Sequence, residues 1–169
     1  MKTSRLPVSA PLVVDGWNIF FHSQFLDQVE ELRGRVESLR EKDPIGYTKK
    51  NATKRLAAIE KLAFAVIPQN PASPEYRQGM TLGEEHKHWF RATFFQQYRL
   101  FFRFHLGSKV IVYAWVNDEK TKRAYESKSD AYRTFKKMLN NGNPPDDWDT
   151  LLGEAMNESR RTEDLASKL

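Results

Sequence analysis

The sequence predicts an α+β fold in which a helical hairpin packs against a small antiparallel sheet and further helices follow at the C-terminal end. Three observations predict it. Apolar residues recur at three and four residue spacing from Phe25 to Leu39 and again from Ala52 to Val66, the period of helices with one buried face. Between Trp89 and Val116 the pattern changes to β-branched and aromatic runs with two-residue alternation. Helices thus cluster with helices and strands with strands, which is the α+β arrangement rather than the alternating βαβ one.

In chain order, Leu12 to Phe21 is rich in Val, Ile, Trp and Phe and reads as a first strand interrupted near Asp15-Gly16. Ser23 is the predicted N-cap of the next helix, whose packing face is Phe25, Val29, Leu32, Val36 and Leu39 and which Asp43-Pro44 stops. After Ile45-Gly46 a second amphipathic helix places Ala52, Leu56, Ile59 and Val66 together until Pro68 ends it. Gln69 to Pro74 is a loop. Strands are expected from about Trp89 to Phe95, over Tyr98 to His105, and over Val110 to Val116, with a helix after the last. Residues 1–169 are read as a single domain, with 151–169 an acidic, peripheral, helical tail too polar to add much core.

Composition narrows the function. The 169 residues contain no cysteine, which removes disulfides, thiol catalysis and cysteine zinc sites and suits a reducing cytoplasm. No run approaches the roughly 18 apolar residues of a membrane span, so a cytoplasmic protein without membrane contact is expected. His86 and His88 flank Lys87, but no carboxylate constellation supports a metal site, so a solvated loop and no metal are expected there. The formal charge of +5 hides a gradient: residues 86–137 carry +8, residues 1–85 carry +1 and residues 138–169 carry −4. A concentrated basic region is the footprint of a polyanion partner.

The basic region coincides with the strands. Along Tyr98 to His105, alternation sends Tyr98, Leu100, Phe102 and Phe104 to one face and Arg99, Phe101, Arg103 and His105 to the other. The helical hairpin covers the first face, and the second is expected to stay open as a shallow basic cleft bearing Arg91, Arg99 and Arg103. A single arginine could serve merely to charge an edge strand against aggregation; three are more than that role needs.

The ordered matches from Tyr98-Arg99-Leu100-Phe101-Phe102-Arg103 through Trp115, Asn117-Asp118-Glu119, Thr121, Arg123, Tyr125, Lys128 and Asp130-Ala131-Tyr132 resemble the YhaV toxin family of the RelE superfamily. Asn51-Ala52-Thr53-Lys54, Asn70-Pro71-Ala72-Ser73-Pro74, Arg77, Gly79, Leu82-Gly83, Met138-Leu139, Gly142, Pro144-Pro145 and Trp148 extend the likeness over about residues 15–150. The resemblance implies a RelE-like fold and the toxin of a type II toxin–antitoxin pair: an endoribonuclease held inactive by a PrlF-like antitoxin with a swapped-hairpin DNA-binding fold, the two together binding their own operator DNA. Two departures stand out. Where the family pattern has lysines, this chain has Met80 and Thr93, so those positions supply no catalytic charge.

Such a nuclease needs no cofactor, because RNA carries its own nucleophile in the ribose 2′-hydroxyl. The protein must align it with the adjacent phosphate, move protons and stabilise the phosphorane. Arg91, Arg99 and Arg123 suit phosphate positioning, since a guanidinium offers paired planar donors and stays charged. Tyr125 and Lys128, three apart on an expected helix, are candidates for proton transfer or base stacking, completing the catalytic set. Arg103, His105, Lys122 and Tyr132 are the candidate substrate-binding residues, with His105 a secondary candidate for general base. Asp118 and Asp130 are better read as caps or salt-bridge partners than as metal ligands. The partner is RNA, a messenger either free or on a ribosome. The alternative reading is a non-catalytic nucleic-acid-binding or antitoxin-docking module acting in promoter autoregulation.

Overall fold

The computed structural model describes residues 12–121 and 130–168. The first apolar run is two strands, β1 (Leu12–Val14) and β2 (Trp17–Phe21), paired antiparallel with Val14 opposite Trp17. Asp15 and Gly16 form the two-residue turn at φ of 51° and 83°. That left-handed pair matches the strand twist, which is why Asp-Gly makes a hairpin here rather than a mere interruption.

Helix α1 (Ser23–Lys42) follows, capped one residue earlier than expected: His22 is extended and its Nδ1 accepts the Gln24 N–H at 3.3 Å. Helix α2 (Asn51–Lys61) continues through a wider turn over Leu62–Val66 before Pro68. The strands β3 (Phe90–Phe94), β4 (Tyr98–His105) and β5 (Val110–Val116) complete a sheet of order β1-β2-β5-β4-β3. Helices α3 (Ala131–Asn140), α4 (Trp148–Met156) and α5 (Ser159–Ala166) close the chain. The RelE-like α+β reading holds. The wholly antiparallel sheet does not: β2 runs parallel to β5, because the helical hairpin and two strands intervene between them.

The hairpin α1–α2 buries Phe25, Leu26, Val29, Ile59 and Ala63 against Phe21, Leu100, Phe102, Ile111 and Tyr113 on one sheet face. Tyr113, fully buried, donates its hydroxyl to the Ala63 carbonyl at 2.7 Å. Loss of water around that phenol raises its pKa well above the ordinary value. The Gln28 side chain binds the Val116 backbone through both its oxygen and its nitrogen, tying α1 to the end of β5.

The second sheet face is not open. Phe101, Val112, Ala114 and Trp115 lie under α3 and α4, packed with Phe135, Leu139, Leu151 and Ala155. Phe135 stacks on Phe101 at 4.2 Å and on Trp115 at 5.5 Å, with Trp89 edge-on at 5.0 Å. Phe101 and the β5 apolar run, hydrophobic on both faces, made a covered second face necessary: Val110 to Val116 is buried at every position. A register shift between Phe101 and Phe102 sets Ala114 and Trp115 on the same side. The acidic tail also departs from expectation. Leu151 and Ala155 of α4 are fully buried on the second face, and Leu165 of α5 joins the core on the first. The tail therefore packs along the β1–β2 side of the sheet.

Candidate active site

With the second face covered at its centre, Arg91 and Arg99 lie toward the end of the sheet where β3 and β4 meet their turn. Antiparallel pairing sets Arg91 opposite Phe101 and Thr93 opposite Arg99, so the two arginines lie diagonally across neighbouring strands. Tyr132, on the first turn of α3, reaches both: its Oη accepts from Arg91 Nε at 2.8 Å and from Arg99 Nε at 3.1 Å. Its ring is buried edge-on against Phe101 at 5.6 Å.

Each member of this constellation is held by further contacts. Arg91 Nη1 donates to the Glu75 carbonyl at 2.7 Å. Arg99 Nη1 donates to the Gln96 carbonyl at 2.7 Å and the Tyr98 carbonyl at 3.2 Å. Gln96 belongs to the β3–β4 turn, where Phe95 and Gln96 have φ of 47° and 65°, left-handed values uncommon for side-chain-bearing residues. Asn117, fully buried, accepts the Arg99 backbone N–H and donates to the Gln97 and Thr121 carbonyls, both at 2.9 Å. Asp130 caps α3 by accepting the Tyr132 N–H at 3.0 Å, in keeping with its sequence reading as a cap. Asp118 likewise accepts the backbone N–H groups of Lys120 and Thr121.

The electrostatics of the pair are one-sided. Among the described residues neither Arg91 nor Arg99 forms an ion pair with a carboxylate, and the Nη2 of each makes no hydrogen bond. Two guanidinium groups fixed by neutral oxygens, each with donors to spare, are arranged to receive an anion with planar oxygens.

The other candidate residues fall elsewhere. Arg103 is four residues along β4 from Arg99, with Nη1 donating to the Asp146 carbonyl at 2.6 Å and its guanidinium between the rings of Trp89 and Trp148. Burial there lowers its pKa, against the opposing pull of Asp146 and Asp147. His105 lies at the far end of β4, its Nδ1 accepting the Ser108 N–H at 3.1 Å and its ring stacked with Trp148. Six residues of strand separate it from Arg99, about 20 Å. Lys122, Arg123, Tyr125 and Lys128 lie outside the described residues.

One group escaped the sequence reading. Instead of a solvated loop, His86 is 5% exposed, and its Nδ1 lies 2.9 Å from Asp146 Oδ1. His88 Nε2 lies 2.8 Å from the same oxygen, and Trp89 Nε1 donates to it at 2.8 Å. Burial acts to raise the Asp146 pKa, but the hydrogen bonds from Trp89, His88 and His86 outweigh it and hold the carboxyl below its ordinary value. No local motif could announce an aspartate some 60 residues downstream.

A sheet end that presents two arginines and a tyrosine, with no carboxylate paired to either arginine among the described residues, has the chemistry of an anion-receiving site. The sequence matches the family Toxin_YhaV, described as a toxin with endonuclease activity of a toxin–antitoxin system, over residues 19–156. It is 45% identical over 146 residues to the ribonuclease toxin YhaV of Escherichia coli (strain K12), covering 85% of this chain and 95% of that one. The toxin YhaV of Escherichia coli O157:H7 is similar to the same extent, and that of strain O6:H1 is 44% identical. No solved structure matches significantly. The chain belongs to the YhaV toxin family, endoribonuclease toxins of toxin–antitoxin systems. Membership implies an antitoxin partner and an RNA substrate. Among the described residues no helix is long and apolar enough to cross a membrane.

Proposed function

We propose that the chain cleaves RNA at the Arg91–Arg99–Tyr132 cleft by attack of a ribose 2′-hydroxyl on the neighbouring phosphate, leaving a 2′,3′-cyclic phosphate and a 5′-hydroxyl. The observation that carries this reading is the convergence of two guanidinium groups, with no carboxylate partner among the described residues, on one phenolic oxygen. The scissile phosphate takes the remaining guanidinium donors. As the 2′-oxygen bonds to phosphorus, negative charge grows on the non-bridging oxygens, and the arginines stabilise that charge more than the ground-state phosphodiester. Tyr132 serves as the post that fixes both arginines, so that little reorganisation accompanies the reaction.

One proton leaves the 2′-hydroxyl and another reaches the departing 5′-oxygen. Tyr125 and Lys128 are the proposed groups for these transfers and Arg123 a third phosphate contact, with Lys122 contributing charge to the RNA path; these four assignments rest on sequence. The reaction draws its nucleophile from the substrate, so a metal is not required for it. The proposed partners are messenger RNA, free or on the ribosome, a PrlF-like antitoxin, and operator DNA bound through the complex, all within the cytoplasm.

The test is brief induction of the wild-type chain beside Arg99→Ala and Arg123→Ala, with RNA 3′-ends mapped and growth recorded. New ends carrying cyclic or 3′-phosphate, reduced at least about 10²-fold in each variant, support the proposal. Salt-sensitive RNA binding without new ends would instead support a binding module.

A further inference from the structure

His86, His88 and Asp146 place three donor atoms, two imidazole nitrogens and a carboxylate oxygen, within 4.8 Å of one another. We propose that they form a binding site for a borderline divalent cation of the Zn²⁺ type, with water completing the coordination. The site lies outside the arginine cleft, between the segment leading into β3 and the loop joining α3 to α4.

Hydrogen bonding alone leaves this cluster poorly satisfied. If His86 carries its proton on Nδ1 to bond Asp146, its Nε2 is a buried acceptor with no donor, and that atom has no hydrogen-bond partner. If the proton sits on Nε2, the Nδ1 lone pair faces a carboxylate oxygen at 2.9 Å, which is repulsive. A doubly protonated ring satisfies Nδ1 and leaves Nε2–H facing Glu85 Oε1 at 3.9 Å, but it holds a full charge on a ring that is 5% exposed. A cation between Nδ1 and Oδ1 ends the conflict at Nδ1 by taking its lone pair, and keeps the imidazole neutral with Nε2–H on the Glu85 side. A ligating imidazole normally gives its second nitrogen's proton to such an outer carboxylate.

The donor set selects the metal. Two imidazoles and one carboxylate suit Zn²⁺, Co²⁺ or Ni²⁺, whereas Mg²⁺ prefers oxygen alone. Ligands about 2.0–2.1 Å from a tetrahedral ion stand roughly 3.3 Å apart, so the present separations of 2.8 and 2.9 Å need only a small opening. The His88 and Asp146 side chains are 37% and 35% exposed, which gives the ion a path in and leaves positions for water. Trp89 Nε1 and the Arg103 bond to the Asp146 carbonyl hold the aspartate from behind. A bound ion would thus cross-link residues some 60 positions apart and stiffen the framework from which Arg91 projects.

The test uses the tag-free full-length chain, stripped with chelator and titrated with Zn²⁺ by calorimetry, with Co²⁺ as an optical probe and Mg²⁺ as the control. His88→Gln keeps a polar side chain at a partly exposed position, and Asp146→Asn keeps an acceptor for Trp89, so both should fold, which circular dichroism checks. The expected result is one equivalent of Zn²⁺ bound by the wild type, visible Co²⁺ absorption, a rise in Tm, and at least tenfold weaker binding in each variant. Saturable binding that is absent in the wild type, or that survives unchanged in His88→Gln, would overturn the site. RNA cleavage is not the readout, so this result and the nuclease mechanism stand or fall separately.

Discussion

Replacing Tyr132 by Phe removes one oxygen and nothing else from the cleft, and the structure says what that oxygen does. It accepts from Arg91 Nε at 2.8 Å and Arg99 Nε at 3.1 Å, the sole side chain that touches both guanidinium groups among the described residues. A hydrogen bond to a charged donor contributes about 1.5–3 kcal/mol. Each arginine retains backbone carbonyl contacts, from Glu75 in one case and Gln96 and Tyr98 in the other, so neither is released entirely. The loss of alignment should then cost about 2–3 kcal/mol in the transition state, or roughly 30- to 150-fold in rate. Stability should fall by about 1.5–3 kcal/mol at most, since the ring keeps its contact with Phe101 and the α3 cap is a backbone bond, so the chain stays folded in the assay. The assay is single-turnover cleavage of a labelled RNA at saturating protein, with urea unfolding in parallel. A rate within threefold of wild type would refute Tyr132 as the post that aligns the arginines.

His105→Ala should leave cleavage within about threefold of wild type, since some 20 Å of strand separate it from Arg99; a loss of 10²-fold in the same assay would place chemistry at the wrong end of β4. Phe135→Ala empties the centre of the second core, where the ring is fully buried against Phe101, Trp115 and Trp89, and should cost about 3–5 kcal/mol by urea denaturation. Arg161 joins α5 to Asp27, Glu30 and Glu158, and Arg161→Ala should cost about 1 kcal/mol, a difference that shrinks as salt is added to the melts. Burial raises the Glu60 pKa despite the opposing Arg33, so the folded chain holds that proton more tightly than the unfolded one. The associated stability is present below the unfolded carboxylate pKa of about 4.3 and is lost as pH rises through the folded value. Glu60→Gln should therefore lose less stability than wild type as pH rises across that window; the opposite slope would show that the Arg33 pair dominates.

The order of elements was legible because each has a local cause. The helical period of α1 and α2, the Asp43-Pro44 stop and the three aromatic strands all appear in the sequence, and all form. Long-range pairing was not legible. Nothing near Leu12 to Phe21 says that β2 will lie parallel to β5, for that register, Asn18 opposite Val110 through Phe21 opposite Tyr113, spans about 90 residues. The same limit explains the error about the open face. Phe101 was assigned to a solvated basic face because alternation put it beside Arg99 and Arg103, yet its ring is fully buried under α3. Large aromatic rings at the middle of a strand and charges toward its ends meant a face covered at its centre and exposed at its margins, a distinction that alternation alone does not draw.

The covering helix also decides which of the candidate residues lie together. Alternation rightly grouped Arg99 with Arg103 on one side of β4, but a helix laid across that side divides them: Phe101 and Phe135 occupy the space between, and Arg103 turns to Trp89, Trp148 and the Asp146 carbonyl. Arg91 stays with Arg99 because antiparallel pairing brings β3 back alongside the same end of β4. Tyr132 reaches them because Asp130 starts α3 at that end of the sheet. The cleft is therefore a product of where the covering helix begins. Its N-cap places Tyr132, the phenol binds two arginines, and among the described residues their remaining donors meet no carboxylate at this margin of the second face.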